Sequence, residues 1–193
     1  MALLLSSCRT TGEIDQLRNE ITTLKKQISE IKKEQNYSIL FLGDILLANH
    51  SRKMIRQKGI NYPFDKIRDD LKGYDYVIAN METPISMRGT PFRNRYYIFQ
   101  LHPELAKAIT TIKLTAVTLG NNHAYDFGDT GLKDTIKYLR KWNIPFTGAG
   151  KNLSSARKPV IINHGETDIV IFSYCGRPPM QYYATENQPG TAP

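Results

Sequence analysis

Thr115-Ala116-Val117-Thr118-Leu119 runs straight into Gly120-Asn121-Asn122-His123, and the fold class turns on that junction. An unbroken run of apolar and β-branched residues reads as a short buried strand, and the glycine followed by amide and imidazole side chains ends it in a turn. The same design occurs twice upstream. Ile39-Leu40-Phe41-Leu42 closes on Gly43-Asp44, and Tyr76-Val77-Ile78-Ala79 leads into Asn80-Met81-Glu82-Thr83-Pro84. Helical patterns lie between and after these runs, over 63–72, 103–111 and 131–142, the last with Leu132, Ile136 and Leu139 on one face. A further strand over 145–147 leads to Gly148-Ala149-Gly150, and runs at 159–163 and 168–174 flank His164-Gly165-Glu166-Thr167 as a hairpin. Strands alternating with helices predict an α/β domain with an at least partly parallel sheet.

Ligands of such sheets sit beyond the carboxyl ends of the strands. Asp44, Glu82, Asn122 and His123 all fall at those ends. Hard oxygen donors and an imidazole are what divalent metals accept. A single Asp after a strand is ordinarily a turn or cap residue, but three strand ends carry such groups here. The stretch from Arg88 to Arg95, with Arg93 and Arg95 ahead of Tyr96-Tyr97, reads either as a loop gripping phosphate or carboxylate groups or as a solvated hairpin.

Outward from this body, Ile14, Leu17, Ile21, Leu24, Ile28 and Ile31 alternate at spacings of three and four, a heptad seam. Glu13 and Glu20 at g positions would face Arg18 and Lys25 at e positions of a parallel partner. Ile at a with Leu at d predicts a parallel homodimer through 14–31, and Ile31 at the last d position keeps a trimer open. The other reading packs this amphipathic helix on its own domain. Either way the segment spaces or oligomerises and carries no chemistry.

The 193 residues are 40% hydrophobic and 23% charged, enough for one cored domain with an appendage and unlike a disordered chain. Residues 9–36 hold six basic and five acidic side chains, so most of the net charge of +8 belongs to the remainder. That surface attracts anions in general. Nucleic acid is not the expected partner, because no recognition helix, aromatic RNP strand or finger spacing is present. With Cys8 and Cys175 as the two cysteines there is neither a disulfide framework nor a cysteine metal site; Cys175 reads as an inert, partly buried thiol.

Leu5-Ser6-Ser7-Cys8, after an apolar run, resembles the end of a bacterial lipoprotein signal, which implies processing before Cys8 and its lipidation. The front departs from that pattern, since Lys or Arg and a run of about 7 to 15 apolar residues ordinarily open it. The alternative is a frayed terminus with an incidental cysteine. No apolar stretch approaches the ~20 residues of a membrane span, so anchorage would run through Cys8. The expected organisation is an anchor segment over 1–12, a coiled coil over 13–36 and a domain over 37–193.

Gly43-Asp44, Ala79-Asn80-Met81-Glu82-Thr83-Pro84 and Gly120-Asn121-Asn122-His123-Ala124-Tyr125-Asp126-Phe127-Gly128, with Gly148-Ala149-Gly150 and Gly190-Thr191-Ala192 beyond, resemble the successive signatures of the CapA-type capsule and poly-γ-glutamate synthesis proteins. The Asn-Asn-His block is the specific part. Those proteins are similar to calcineurin-like metallophosphoesterases, so the resemblance implies part of an α/β/β/α sandwich. It further implies divalent metal held by Asp44, Glu82 and Asn122, His123 as proton donor or phosphoryl-charge stabiliser, and Asp126 orienting His123. Implied partners are an anionic polymer or phosphorylated small molecule, polymer synthase subunits, and a membrane through the lipid anchor, at an extracytoplasmic envelope location. Two departures stand out: Leu46 occupies the position of a metal-binding His, and Glu82 stands where Asp is usual. The later His-rich motifs of the fold would lie beyond Gly190, so the resemblance implies a truncated and inactive portion of a metal-dependent hydrolase.

Overall fold

The computed structural model describes residues 11–92, 95–176 and 179–193. The chain divides into two units, one up to Tyr37 and one from Ser38 to Pro193. In the first, α1 (Thr11–Gln35) is one continuous helix. Its seam residues Ile14, Ile21, Leu24, Ile28 and Ile31 are exposed, each at least 41%. Arg18 pairs with Asp15 and Lys26 with Glu30 along the helix. No helix among the described residues is long and apolar enough to cross a membrane.

In the second unit the order is β1 (Ile39–Ile45), α2 (His50–Lys58), α3 (Arg68–Lys72), β2 (Tyr76–Met81), α4 (Pro103–Ala106), β3 (Ala116–Thr118), α5 (Gly128–Lys141), β4 (Phe146–Thr147), β5 (Ala149–Gly150), α6 (Leu153–Ala156), β6 (Val160–His164), β7 (Thr167–Ile171) and β8 (Gly190–Thr191). β1 to β4 form a parallel sheet in sequence order. This is a mixed α/β architecture, as expected from the alternation of runs.

The pleat explains the layering. Val77, Ala79 and Met81 of β2 point to one face, into a core shared with Leu71, Ile109, Leu132 and Leu139 from the helical segments. Ile78 points to the other, where Ala116 joins Val160, Ile162 and Ile171 of the β6–β7 hairpin. Helices thus cover one face of the sheet and a two-stranded antiparallel layer covers the other. The hairpin's outward residues Ile161, Val170 and Phe172 are exposed.

Several elements differ from the sequence expectation. Gly43-Asp44 does not close β1: the strand runs on to Ile45 through a register shift between Phe41 and Asp44. The segments at 63–72 and 103–111 are broken. Tyr62–Phe64 is a single 3-10 turn ahead of α3, and α4 tightens into a 3-10 turn over Lys107–Thr111. There the Thr110 and Thr111 hydroxyls donate to the carbonyls of Lys107 and Ala108, local bonds that compete with helix continuation. α2 was not foreseen, since Met54 and Ile55 alone are too few to set a helical period. His164 is in β6, paired with Thr167, rather than in the turn, which is Gly165-Glu166; its ring shares a 2.8 Å hydrogen bond with the Tyr76 hydroxyl.

Of the segment from Arg88 to Arg95, residues 93 and 94 lie outside the described residues, and Arg88 at its head is tied to α5. Arg88 forks onto Asp134 of α5, Nε to Oδ2 at 3.1 Å and Nη2 to Oδ1 at 2.5 Å, and Ser86 donates to the same carboxylate. The Arg88 guanidinium, opposed in part by burial, holds Asp134 below the usual carboxylate range. Cys175 is buried with a free thiol.

Candidate functional site

The carboxyl ends of β1, β2 and β3 meet because the register shift in β1 inserts one residue. Phe41 lies beside Ile78, yet Asp44, three residues on, lies beside Asn80, two residues on. The extra residue reverses the alternation, so Asp44 comes onto the face of Asn80 while Ile45 turns into the core. Asn80 Nδ2 donates to Asp44 Oδ1 at 2.7 Å, and Asn80 Oδ1 accepts from Thr118 Oγ1 and Asn121 Nδ2.

Asn121, 7% exposed, uses its whole amide. Its NH2 donates to Asn80 Oδ1 and the Met81 carbonyl, each at 3.0 Å, and its oxygen accepts from the backbone of His123 and Ala124. This Asx-type turn sets the direction of the chain beyond β3 and delivers His123 to the site. The Asn122 side chain makes no hydrogen bond among the described residues, while its carbonyl accepts from Arg95 Nη1 at 2.5 Å.

His123 is buried against the Phe99 ring, with centroids 4.4 Å apart. Its Nδ1 lies 2.7 Å from Asp126 Oδ2, and a carboxylate can only accept, so Nδ1 carries the hydrogen. Nε2 is left facing Glu82 Oε1 at 4.0 Å, beyond hydrogen-bond length. Asp126, fully buried, also accepts from Arg95 Nη1 at 2.8 Å and the Phe99 backbone at 2.9 Å. Arg95 in turn lies over the Tyr182 ring at 5.6 Å. Arg95 is therefore an internal strut with its side chain 19% exposed, and Arg93 lies outside the described residues, as does Cys8.

Glu82 follows β2 and its backbone N–H donates to the Ile45 carbonyl, drawing β1 and β2 ends together. Burial first, then the adjacent Asp44 charge, raises its pKa above the ordinary 4.5. The folded protein then binds this proton more tightly than the unfolded chain, so stability declines as pH rises from about 4.5 through the raised value. In chelator-containing buffer, Glu82→Gln is expected to remove that decline and to melt at or above the parent's temperature at neutral pH. Thermal denaturation across pH checks this, and a lower melting temperature with the decline intact would sink it.

Asp44 opens onto a cleft of about 400 Å³ lined by Leu46, His50, Met54, Tyr62 and Phe64. The structure thus brings together Asp44, Glu82, His123 and Asp126, with Asn122 in the same turn. Among the described residues no three His, Cys, Asp or Glu side chains form a metal-holding group. Asn80 and Asn121, which position Asp44 and His123, were given no role by the sequence; for Asn121 an Asn closely following a strand, able to bond the backbone two residues on, was the available signal.

The chain is 30% identical over 159 residues to PGA biosynthesis protein CapA of Bacillus subtilis, a stretch covering 81% of this chain and 42% of that protein. It is 26% identical over 169 residues to capsule biosynthesis protein CapA of Bacillus anthracis, covering 85% and 41%. A probable polyglutamine synthesis accessory protein of Mycobacterium tuberculosis is 30% identical over 120 residues, covering 60% and 32%. The matched part of this chain therefore spans about two fifths of the length of the two CapA relatives. The sequence pattern of one family, described as bacterial capsule synthesis protein PGA_cap, matches residues 38–192. That match takes in every strand described above together with Asp44, Glu82, Asn122, His123 and Asp126, and the chain belongs to the bacterial capsule synthesis protein PGA_cap family.

Proposed function

We propose that this protein serves capsule or poly-γ-glutamate synthesis at the cell envelope, through a metallophosphoesterase-type site that acts on or binds an anionic polymer or a phosphorylated intermediate. The reading is supported by family membership and carried by one observation: two carboxylates and a carboxylate-backed imidazole converge at the carboxyl ends of three neighbouring strands.

In this proposal Asp44, Glu82 and Asn122 hold a divalent cation. The chemistry of the donors fits: Asp44 and Glu82 are hard oxygen ligands close enough to oppose one another's charge, and the Asn122 amide is uncommitted. Three oxygens are fewer than the 6 or so such cations take, so water or substrate oxygens would have to supply the rest. Bound there, the cation supplies Lewis-acid stabilisation at a phosphoryl oxygen. His123, its Nδ1–H held by Asp126, presents Nε2, and in the imidazolium form, which the Asp126 carboxylate stabilises, it would hand the Nε2 proton to a leaving oxygen and return to the neutral Nδ1–H ring. Lipidation at Cys8 would hold the protein on the membrane, and the exposed seam of α1 would pair it with one or two further copies beside synthase subunits.

The test replaces the chromosomal copy in the host that makes the protein. Asp44→Ala, Glu82→Ala and His123→Ala are each expected to cut polymer synthesis by at least about a hundredfold at unchanged protein level, the scale of lost acid–base assistance. Full polymer yield from all three, with loss on deleting residues 14–31, would make the protein a non-catalytic scaffold. Hydrolysis of a generic phosphodiester with polymer yield unaffected would make it a phosphoesterase outside capsule synthesis.

A further inference from the structure

β4 is the last strand of the sheet, and along its edge runs a groove of about 910 Å³ between α5 and the segment joining β5 to β6. Lys133, Lys137, Arg140, Lys151 and Lys158 line it, and no acidic side chain does. Lys133 has a partner, Asp129, one turn back at 3.5 Å. The other four make no ion pair among the described residues, and Asp134, on the same helix, is already held by Arg88. Nor does any of Asp44, Glu82, Asn122 or His123 line the groove.

We propose that this groove binds an extended polycarboxylate chain, independently of the site at the strand ends; the choice of polymer rests on the function proposed above. Lys133, Lys137 and Arg140 are spaced by four and three residues, so they share one stripe of α5, with rises of roughly 6 and 4.5 Å between them. A γ-linked glutamate adds two methylene carbons to each main-chain unit, so an extended poly-γ-glutamate advances roughly 6 Å per residue rather than the ~3.5 Å of an α-linked chain. Its α-carboxylates pass this stripe at comparable intervals. Lys151 and Lys158 supply the opposite wall. Ile144 and Phe146, which also line the groove, suit the main-chain methylenes of such a polymer.

A nucleic acid fits less well. Single strands need successive aromatic platforms, and the groove offers Phe146 alone, already covered by the Arg140 guanidinium at 5.8 Å. A flat lipid surface does not enter a concave groove.

The test measures fluorescence anisotropy of labelled poly-γ-glutamate against the purified full chain. Lys137→Glu, Arg140→Glu and Lys158→Glu together are expected to weaken binding by at least about tenfold, as losing and reversing several exposed attractions should. A control with Lys53→Glu, Lys66→Glu and Lys107→Glu carries the same net charge and is expected to weaken it much less. The milder Lys137→Gln, Arg140→Gln, Lys158→Gln combination, expected to weaken binding more than that control does, replaces the reversal should it misfold. Equal weakening by both reversals, or none by the groove variants, would overturn the groove while leaving the proposed function standing. Stronger binding of a single-stranded oligonucleotide or of anionic vesicles through the same residues would overturn the polycarboxylate. No polyglutamate binding by the parent chain would overturn both this inference and the polymer part of the proposed function.

Discussion

Asp126→Ala is expected to destabilise the second unit by about 3–5 kcal/mol, the scale on which removing one partner of a buried charge pair is felt. Its carboxylate, fully buried, is the common acceptor for Arg95, His123 and the Phe99 backbone. Without it the Arg95 guanidinium keeps the Asn122 carbonyl as acceptor and loses its counter-charge. The Phe99 N–H loses its acceptor, and the His123 ring loses what selects its tautomer. Asp126→Asn, which preserves shape and one acceptor oxygen, is expected to recover part of the loss. Denaturant unfolding reads the energy, and the His123 ring nitrogens, observed by NMR, read the tautomer. A loss below about 1 kcal/mol, the scale of one ordinary hydrogen bond, would mean that the carboxylate is not the hub of this network.

Gly148→Ala is expected to cost about 2–5 kcal/mol, combining left-handed strain with overpacking. Gly148 has φ +94, and an added Cβ would sit 2.4 Å from the Gly120 backbone nitrogen and under 3 Å from the Ser173 side chain. None of these neighbours can withdraw freely. Gly120 N–H donates to Ser173 Oγ at 3.1 Å, Gly148 N–H donates to the Ala156 carbonyl, and the Gly148 carbonyl accepts from Ala192. The substitution would wedge apart the chain just before Asn121, and on the function proposed above a matching loss of polymer synthesis is expected. An unchanged melting temperature would show that the three segments do not press together as closely as described.

The runs at β2 and β3 were legible because strands covered on both faces are apolar almost throughout, and α5 because Leu132, Ile136 and Leu139 repeat at the helical period. β1, equally apolar in sequence and read as buried, is instead an edge strand of the sheet, with Phe41 exposed. Asp44 was found as a strand-end residue for a reason only partly physical: the sequence reads Gly43-Asp44 as a stop, whereas the strand continues and the extra residue changes its facing. A bulge leaves no periodic trace in so short a run. Arg95 was read as part of either a gripping loop or a solvated hairpin, because charge patterns carry no information about which arginine finds a buried carboxylate 31 residues later. The hold of Asn80 on Asp44, and that of Thr118 and Asn121 on β2, depend on hydrogen bonds reaching across 36 to 41 positions, and no local pattern encodes those.

The order of the two layers also sets a schedule for synthesis. The face of the parallel sheet that carries Ile78 and Ala116 is complete once Thr118 has left the ribosome, but its cover ends at Ile171, about fifty residues later. At roughly 5–20 residues per second, that leaves an apolar surface uncovered for about three to ten seconds on every nascent chain. The length of that interval is set by the sequence order of sheet and hairpin, and slowing translation between them would lengthen it in proportion.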